Sequence, residues 1–534
     1  MVEKYDYIII GAGSAGCAVA ARLSEDPRNR VLLLEAGGRD RNPWIHIPVG
    51  YYRTMLDPVL SWGYRTEPDE KVAGRSIVWP RGRVLGGSSS INGLVYMRGQ
   101  KEDYDLWRQM GNPGWSYEDV LPYFRRSEDQ ERGEDEFHGV GGPLKVSDIH
   151  DRRPICEAFI AAAEETGLPL NDDFNGARQE GVGYFQITSR GGFRCSAATA
   201  YLKPARRRKN LNVVTGALTR RIVVAEGRAA AVEWESNGVD RSARCRGEVV
   251  LSAGAINSPQ LLQLSGIGPA EHLRALGIDV VQALEGVGRD LQDHYQVRAL
   301  YEIKGARSLN TDVHNPIKKA MIGLQYALFR TGPLTISAGQ VCVFAKTRPE
   351  VATPDIQFHF IPFSADKPGQ SLHKFPAVMS SICHLRPESR GEIMIRSTDP
   401  REHPAIRANY LDSENDRRTI VDGMKLNRRI SRSPAFAKYL KLEREPGEDH
   451  QTDDELLQFA RERGNTIFHP TSTCRMGPDD RAVVDARLRV RGIEGLRVAD
   501  CSIMPTVVSG NTNAPATMIG EKCADLILED ARSR

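Results

Sequence analysis

A chain of 534 residues is too long for one ordinary core, and length alone suggests about three domains. With 40% apolar and 26% charged residues it has the composition of a soluble globular protein. A net charge of +3 excludes the basic footprint of a nucleic-acid binder. Nine cysteines without CxxC or zinc spacing fit reduced thiols better than a disulfide framework. No signal peptide is expected from the polar residues 1–6, and no stretch approaches the ~18 apolar residues of a membrane span. The expected location is cytoplasmic, with peripheral contact to the inner membrane left open.

Tyr7–Ile10 is a short apolar run, the pattern of a strand buried on both faces. It leads into Gly11-Ala12-Gly13-Ser14-Ala15-Gly16, then into Cys17–Leu23, small and apolar at helical spacing. A second run, Val31–Leu34, ends on Glu35. This is the order of a βαβ dinucleotide site. Gly11 permits the tight turn, Gly13 admits a pyrophosphate to the backbone, and Gly16 lets helix and strand pack closely. The helix start supplies free N–H groups and partial positive charge for phosphates. Glu35 is placed to accept from a ribose diol, which favours FAD or NAD over NADP.

Residues 43–65 read as loops, and Arg81–Gly93 is a second Gly/Ser-rich stretch. Helices are expected at Asp105–Gly111, at Ser116–Arg126 with Ser116 as N-cap, and at 154–166. Leu211–Val214, Arg221–Val224 and Glu248–Leu251 read as strands of a small antiparallel insert. A helix, Gln260–Ser265, follows. Val297–Ile303, Asp355–Ile361, Val378–Leu385 and Glu392–Arg396 predict a mixed or antiparallel sheet, followed by helices at 414–431 and 453–463. The chain closes with a strand, Leu496–Ala499, ending on Asp500, and a helix, Thr517–Asp530. The expected class is α/β, α+β overall. A Rossmann-like cofactor domain is assembled from 1–150, 205–300 and 465–534; a substrate domain comprises 151–204 and 301–464.

Two long motifs stand out. One is Gly82-Arg83-Val84-Leu85-Gly86-Gly87-Ser88-Ser89-Ser90-Ile91-Asn92, continuing through Tyr96 and Gly99 to Asp105; the other runs from Gly254-Ala255-Ile256-Asn257-Ser258-Pro259 to Gly268. With the N-terminal fingerprint, they resemble the glucose–methanol–choline (GMC) flavin oxidoreductases over nearly the full length. The style is that of bacterial choline-dehydrogenase-like alcohol dehydrogenases. The resemblance implies FAD and oxidation of an alcohol by hydride transfer to flavin N5. Such chemistry needs a base for the hydroxyl proton and a donor for the developing alkoxide. The family supplies these from a His and a His-or-Asn, which fall on His469 and Asn511, with Asn513 the rival for the second place.

By the same resemblance, Gly11, Gly13, Ser14, Ala15 and Gly16 meet the pyrophosphate, while Glu35 and Ala36 meet the adenosine ribose. Val84, Gly86, Asn92, Gly93, Leu94 and Val95 lie against the isoalloxazine. Thr219 and Ala253 line the adenine side, Asp500 lies near the pyrophosphate or ribityl chain, and Thr512 and Asn513 approach the pyrimidine ring. Ile91 stands where some relatives tether FAD through a His, so FAD is expected to be non-covalent. Gln340 aligns where choline enzymes carry Glu, and a quaternary ammonium needs an aromatic cage and usually a carboxylate. The expected substrate is therefore a primary, uncharged alcohol, with Phe468, Trp62, Tyr51 and Tyr52 as candidate lining. Choline dehydrogenase or oxidase proper and a hydroxynitrile-lyase-like enzyme without net redox are the alternatives. Oxygen, a quinone or another carrier remains open as electron acceptor.

Overall fold

The structure is a computed structural model that describes residues 3–367 and 369–533. Its first layer is a seven-stranded sheet. The strand Glu3–Ile10 pairs in parallel with Val31–Glu35 on one side and with Val239–Leu251 on the other. Leu211–Thr215 extends the parallel set beyond Val31–Glu35, and Leu496–Val498 joins alongside Val249–Leu251. Tyr7–Ile10 and Val31–Glu35 are buried throughout, as parallel strands covered on both faces must be. Between the first two strands, Gly11 turns at φ +98° into helix α1 (Ser14–Leu23). After Leu251 the chain turns into helix α2 (Gly254–Leu264).

The antiparallel part of this sheet differs from the expected insert. Ala217–Ala225, Arg228–Ser236 and the first half of Val239–Leu251 form the meander. Leu211–Thr215 and Val249–Leu251 instead belong to the parallel core. Arg228–Ser236 is hidden in the sequence because Ala229, Val232 and Trp234 bury only one irregular face. The helix expected at Asp105–Gly111 begins earlier, at Lys101, where Gln100 and Asp103 form a capping box.

The second seven-stranded sheet runs Leu440–Glu445, Tyr295–Ile303, Ala377–His384, Ile356–Ile361, Val341–Ala345 and Gly181–Tyr184, with Asn465–Thr466 beside Tyr295. Every pairing in it is antiparallel. Glu392–Arg396 contributes only Glu392–Met394, in a separate ribbon with Ala405–Arg407. Helix α3 (Pro316–Phe329) lies outside this sheet and buries only Tyr326. The closing helix α4 (Asn513–Arg532) begins four residues before the expected Thr517 and packs against α1, with Gly520 directly over Ala15. Two large apolar cores fill the two layers, and one cavity lies between the sheets. Among the described residues no helix is long and apolar enough to cross a membrane, and all nine cysteines are unpaired.

Candidate active site

Both sheets contribute to the cavity wall. Gly11, Gly13, Ser14, Ala15, Glu35, Ala36, Thr219, Ala253 and Asp500 line it. So do Asn92, Gly93, Leu94, Val95, Phe468, His469, Asn511, Thr512 and Asn513, with Ser14 bonded to Asn513. Gly16 lies behind the wall, where an added Cβ would come 1.9 Å from the Gly11 carbonyl oxygen. Val84 and Gly86 also miss the wall. Val84 packs among Ile45, Leu60 and Ile91, and the Gly86 N–H donates to the Ala12 carbonyl at 2.8 Å. Gly82, Gly87 and Ser88 of the same loop reach the cavity instead. Gln340 is fully buried outside the wall, and neither of its amide atoms has a partner.

Three helices begin at this cavity without a side-chain cap. Their N-cap residues, Gly13, Ala253 and Thr512, all line it. Free first-turn N–H groups and aligned dipoles suit these starts to an anion, although at α2 the Gly254 N–H is taken by Asp500. The Glu35 carboxylate accepts from the Ala12 N–H at 2.9 Å and the Gly37 N–H at 2.8 Å, and burial pushes it up to about 7. Asp500 accepts from the Gly254 N–H at 2.9 Å and the Ser258 hydroxyl at 2.6 Å. Asn513 is occupied by Ser14, whose hydroxyl donates to its Oδ1 at 2.8 Å, which leaves Asn511 as the amide facing His469.

His469 is held from three directions. Its backbone N–H donates to Asp293 at 2.7 Å, and Thr466 and Tyr410 donate to the same buried carboxylate. Phe468, just before it, has φ +73°, a costly conformation for an aromatic residue. Its N–H donates to Thr466 Oγ1 at 2.7 Å, and Arg81 Nη2 donates to its carbonyl at 2.5 Å. The ring meets His294 Nδ1 through Nδ1 at 3.0 Å and Asn511 Nδ2 through Nε2 at 3.2 Å.

The tautomers follow from the partners. His294 Nε2 lies 2.9 Å from the Leu385 carbonyl, which only accepts, so that nitrogen carries a proton. Burial pushes His294 down to about 3, so the ring is neutral and its Nδ1 is a lone pair. His469 Nδ1 therefore donates, and its Nε2 lone pair faces Asn511. Burial, with His294, His359 and Arg81 nearby, holds His469 well below the usual imidazole range.

The facing sheet adds residues that the sequence reading missed. His359 stacks on Phe185 at 5.0 Å and lies beside the Asn511 side chain. Arg298, Met379 and Ser381 line the wall beside it; Tyr51, Tyr52 and Trp62, expected as lining, are there too. The alternation Gln357, His359, Ile361 was the available signal for a one-faced polar row.

The GMC oxidoreductase family matches residues 5–296 and 387–520. The chain is 44% identical over 525 residues to an oxygen-dependent choline dehydrogenase of Brucella canis, covering 98% of this chain and 95% of that one. It is 42% identical over 528 residues to an alcohol dehydrogenase [acceptor] of Pseudomonas putida, covering 98% and 96%. Pyridoxine 4-oxidase from Mesorbium loti superposes with a TM-score of 0.89 at 32% identity over 98% of both chains.

The chain is a GMC oxidoreductase. As such it is an FAD-dependent enzyme acting on CH–OH donors. The residues present fit the cofactor. Three uncapped helix starts and the open Gly13, whose added Cβ would have nothing nearer than 3.9 Å, suit a pyrophosphate against the backbone. Glu35 keeps lone pairs for a ribose diol. In this GMC oxidoreductase Ile91 lines the cavity with a side chain of carbon alone.

Proposed function

We propose that the enzyme oxidises a primary alcohol without a cationic group to its aldehyde, with FAD bound non-covalently. The observation that carries this is the His469 Nε2 lone pair beside Asn511 Nδ2 in the cavity wall. His469 takes the hydroxyl proton at Nε2, and Asn511 Nδ2–H holds the oxygen as negative charge develops. FAD, held by Gly11–Ala15, Glu35, Ala36, Thr219, Ala253, Asp500 and Thr512, supplies the hydride acceptor. Among the described residues the only carboxylates in the wall are Glu35 and Asp500, both engaged by backbone N–H groups. No carboxylate is left for a quaternary ammonium.

The choline alternative rests on the names of the relatives and on the aromatic wall. Anaerobic flavin bleaching by a panel of alcohols separates the two. Uncharged primary alcohols are expected to bleach the flavin and choline to do so poorly. Bleaching by choline alone would sink the proposal, and no bleaching by any alcohol would favour the lyase reading. The rate of reoxidation in air then tells an oxygen-using enzyme from one serving a quinone or other carrier.

His294 is assigned as a positioning residue that fixes the tautomer of His469. His294→Phe is expected to lower the limiting rate of flavin reduction roughly 10²-fold with little change in half-saturation, and His294→Asn to recover part of it. An unchanged limiting rate in His294→Phe would refute the assignment.

Peripheral contact with an anionic lipid surface is assigned to α3. Its outward face exposes Ile317 (71%), Met321 (63%), Leu324 (59%), Leu328 (64%) and Phe329 (69%), at the spacing of one helical stripe. Residues 304–345 carry five cations and one acid, Asp312, which Arg153 and Lys318 engage. Apolar bulk flanked by an excess of cations suits acidic headgroups. A two-fold contact with a second copy would set cation against cation. Sedimentation with phosphatidylglycerol vesicles is expected, weakened by Met321→Glu with Leu324→Glu. Failure to sediment, or a dimer that the double variant dissociates, would reject the lipid assignment.

A further inference from the structure

We propose that the cavity wall carries a carboxylate-binding subsite at Arg298, so that the preferred substrate is an anion-bearing primary alcohol of the ω-hydroxy acid type. This rests on the alcohol-oxidising reading and narrows its substrate. In Tyr295–Ile303, Arg298 lies opposite Ser381, and Ser381 lies opposite His359 on the next strand. The three form one row across the sheet, and all three line the cavity. The row ends at His359, beside Asn511. At ~4.8 Å per strand, about 10 Å separates the backbone of Arg298 from that of His359. That leaves room for several carbons between a hydroxyl at His469 and a head group at the guanidinium.

Among the described residues Arg298 has no hydrogen bond or ion pair. The titratable groups facing it are the Tyr51 and Tyr52 hydroxyls and Glu445, itself 2.6 Å from Arg463. Burial lowers its affinity for its proton, the cost of a cation without a counter-ion. Lys367 and Arg81 are the other cations of the wall, and Arg81 is engaged by the Phe468 carbonyl. The phosphate-binding helix starts belong to the other sheet or to α4, so FAD does not account for this charge. A guanidinium presents a fork of donors that matches a carboxylate, whereas a quaternary ammonium would meet like charge here. On this proposal the uncharged alcohol expected from Gln340 gives way to an anion-bearing one, because a guanidinium without an ion pair among the described residues lines the wall.

The test uses the holoenzyme and anaerobic flavin reduction by 6-hydroxyhexanoate, its methyl ester, 1-hexanol and choline. The second-order reduction constant is expected to favour the hydroxy acid over its ester by about tenfold or more. Arg298→Met should bring that ratio to about one, and Arg298→Lys should restore part of it. Hexanoate, which cannot be oxidised at an alcohol carbon, should perturb the flavin spectrum in the wild type and lose affinity by a similar factor in Arg298→Met. Equal constants for acid and ester, or a ratio unmoved in Arg298→Met, would overturn the subsite while leaving alcohol oxidation standing. Reduction by none of the alcohols, with no response to hexanoate, would overturn both.

Discussion

Replacing His469 by Ala is expected to slow flavin reduction by alcohol about 10²–10⁴-fold while FAD remains bound. The ring touches no part of the pyrophosphate end, and its contacts are His294, Asn511 and the Asp293 carboxylate through its backbone. Deleting it removes the proton acceptor and leaves the cofactor cradle intact. The pH profile gives a second measure. The base works when neutral, and its surroundings hold it well below the usual imidazole range. The neutral form therefore persists as pH falls, and the acid limb of the wild-type rate should lie below pH 6.5. Turnover near wild type in His469→Ala would remove it from the chemistry.

Gly16→Ala is expected to yield protein without stoichiometric FAD, largely insoluble. The added Cβ would sit 1.9 Å from the Gly11 carbonyl oxygen and 3.1 Å from Ser252 Cβ, so backbone itself must move. The displaced turn is the one that brings α1 to the phosphate. Gly13→Ala is the informative partner, because its Cβ would have only Ser252 O within 4 Å, at 3.9 Å, and would point into the cavity. That variant should fold with normal stability and bind FAD weakly. Flavin content and circular dichroism on the pair separate a packing glycine from a contact glycine; equal FAD content in both variants would contradict the distinction.

The nucleotide half was legible because its information is local. Strand, turn, helix, strand and terminal acid lie within Tyr7–Glu35, and each obeys a short-range rule. His469 and Asn511 are proposed through motifs, since nothing in Phe468-His469-Pro470 marks a base by itself. What escaped is what depends on register between distant strands. Arg298, Ser381 and His359 become neighbours only through the pairing of Tyr295–Ile303 with Ala377–His384 and Ile356–Ile361. His294 gains its role from Leu385 and His469, both far along the chain. Val84 and Gly86 were placed a residue or two off because a Gly-rich loop does not say which of its members turns inward. Helix α3 was overlooked because an apolar stretch without a buried face breaks the rule by which helices are read.

The strand Tyr295–Ile303 has a consequence for how specificity can change. His294, proposed to orient the base, directly precedes it, and Arg298 follows four residues later. On that proposal, head group and reaction centre are registered on one rigid strand. A change of head-group charge needs one side chain on that strand. A change of chain length would move recognition to another inward position, such as Gln296 two residues nearer His294 on the same strand. Relatives built on this sheet should therefore diverge readily in the sign of charge they accept and in steps of two residues in the length.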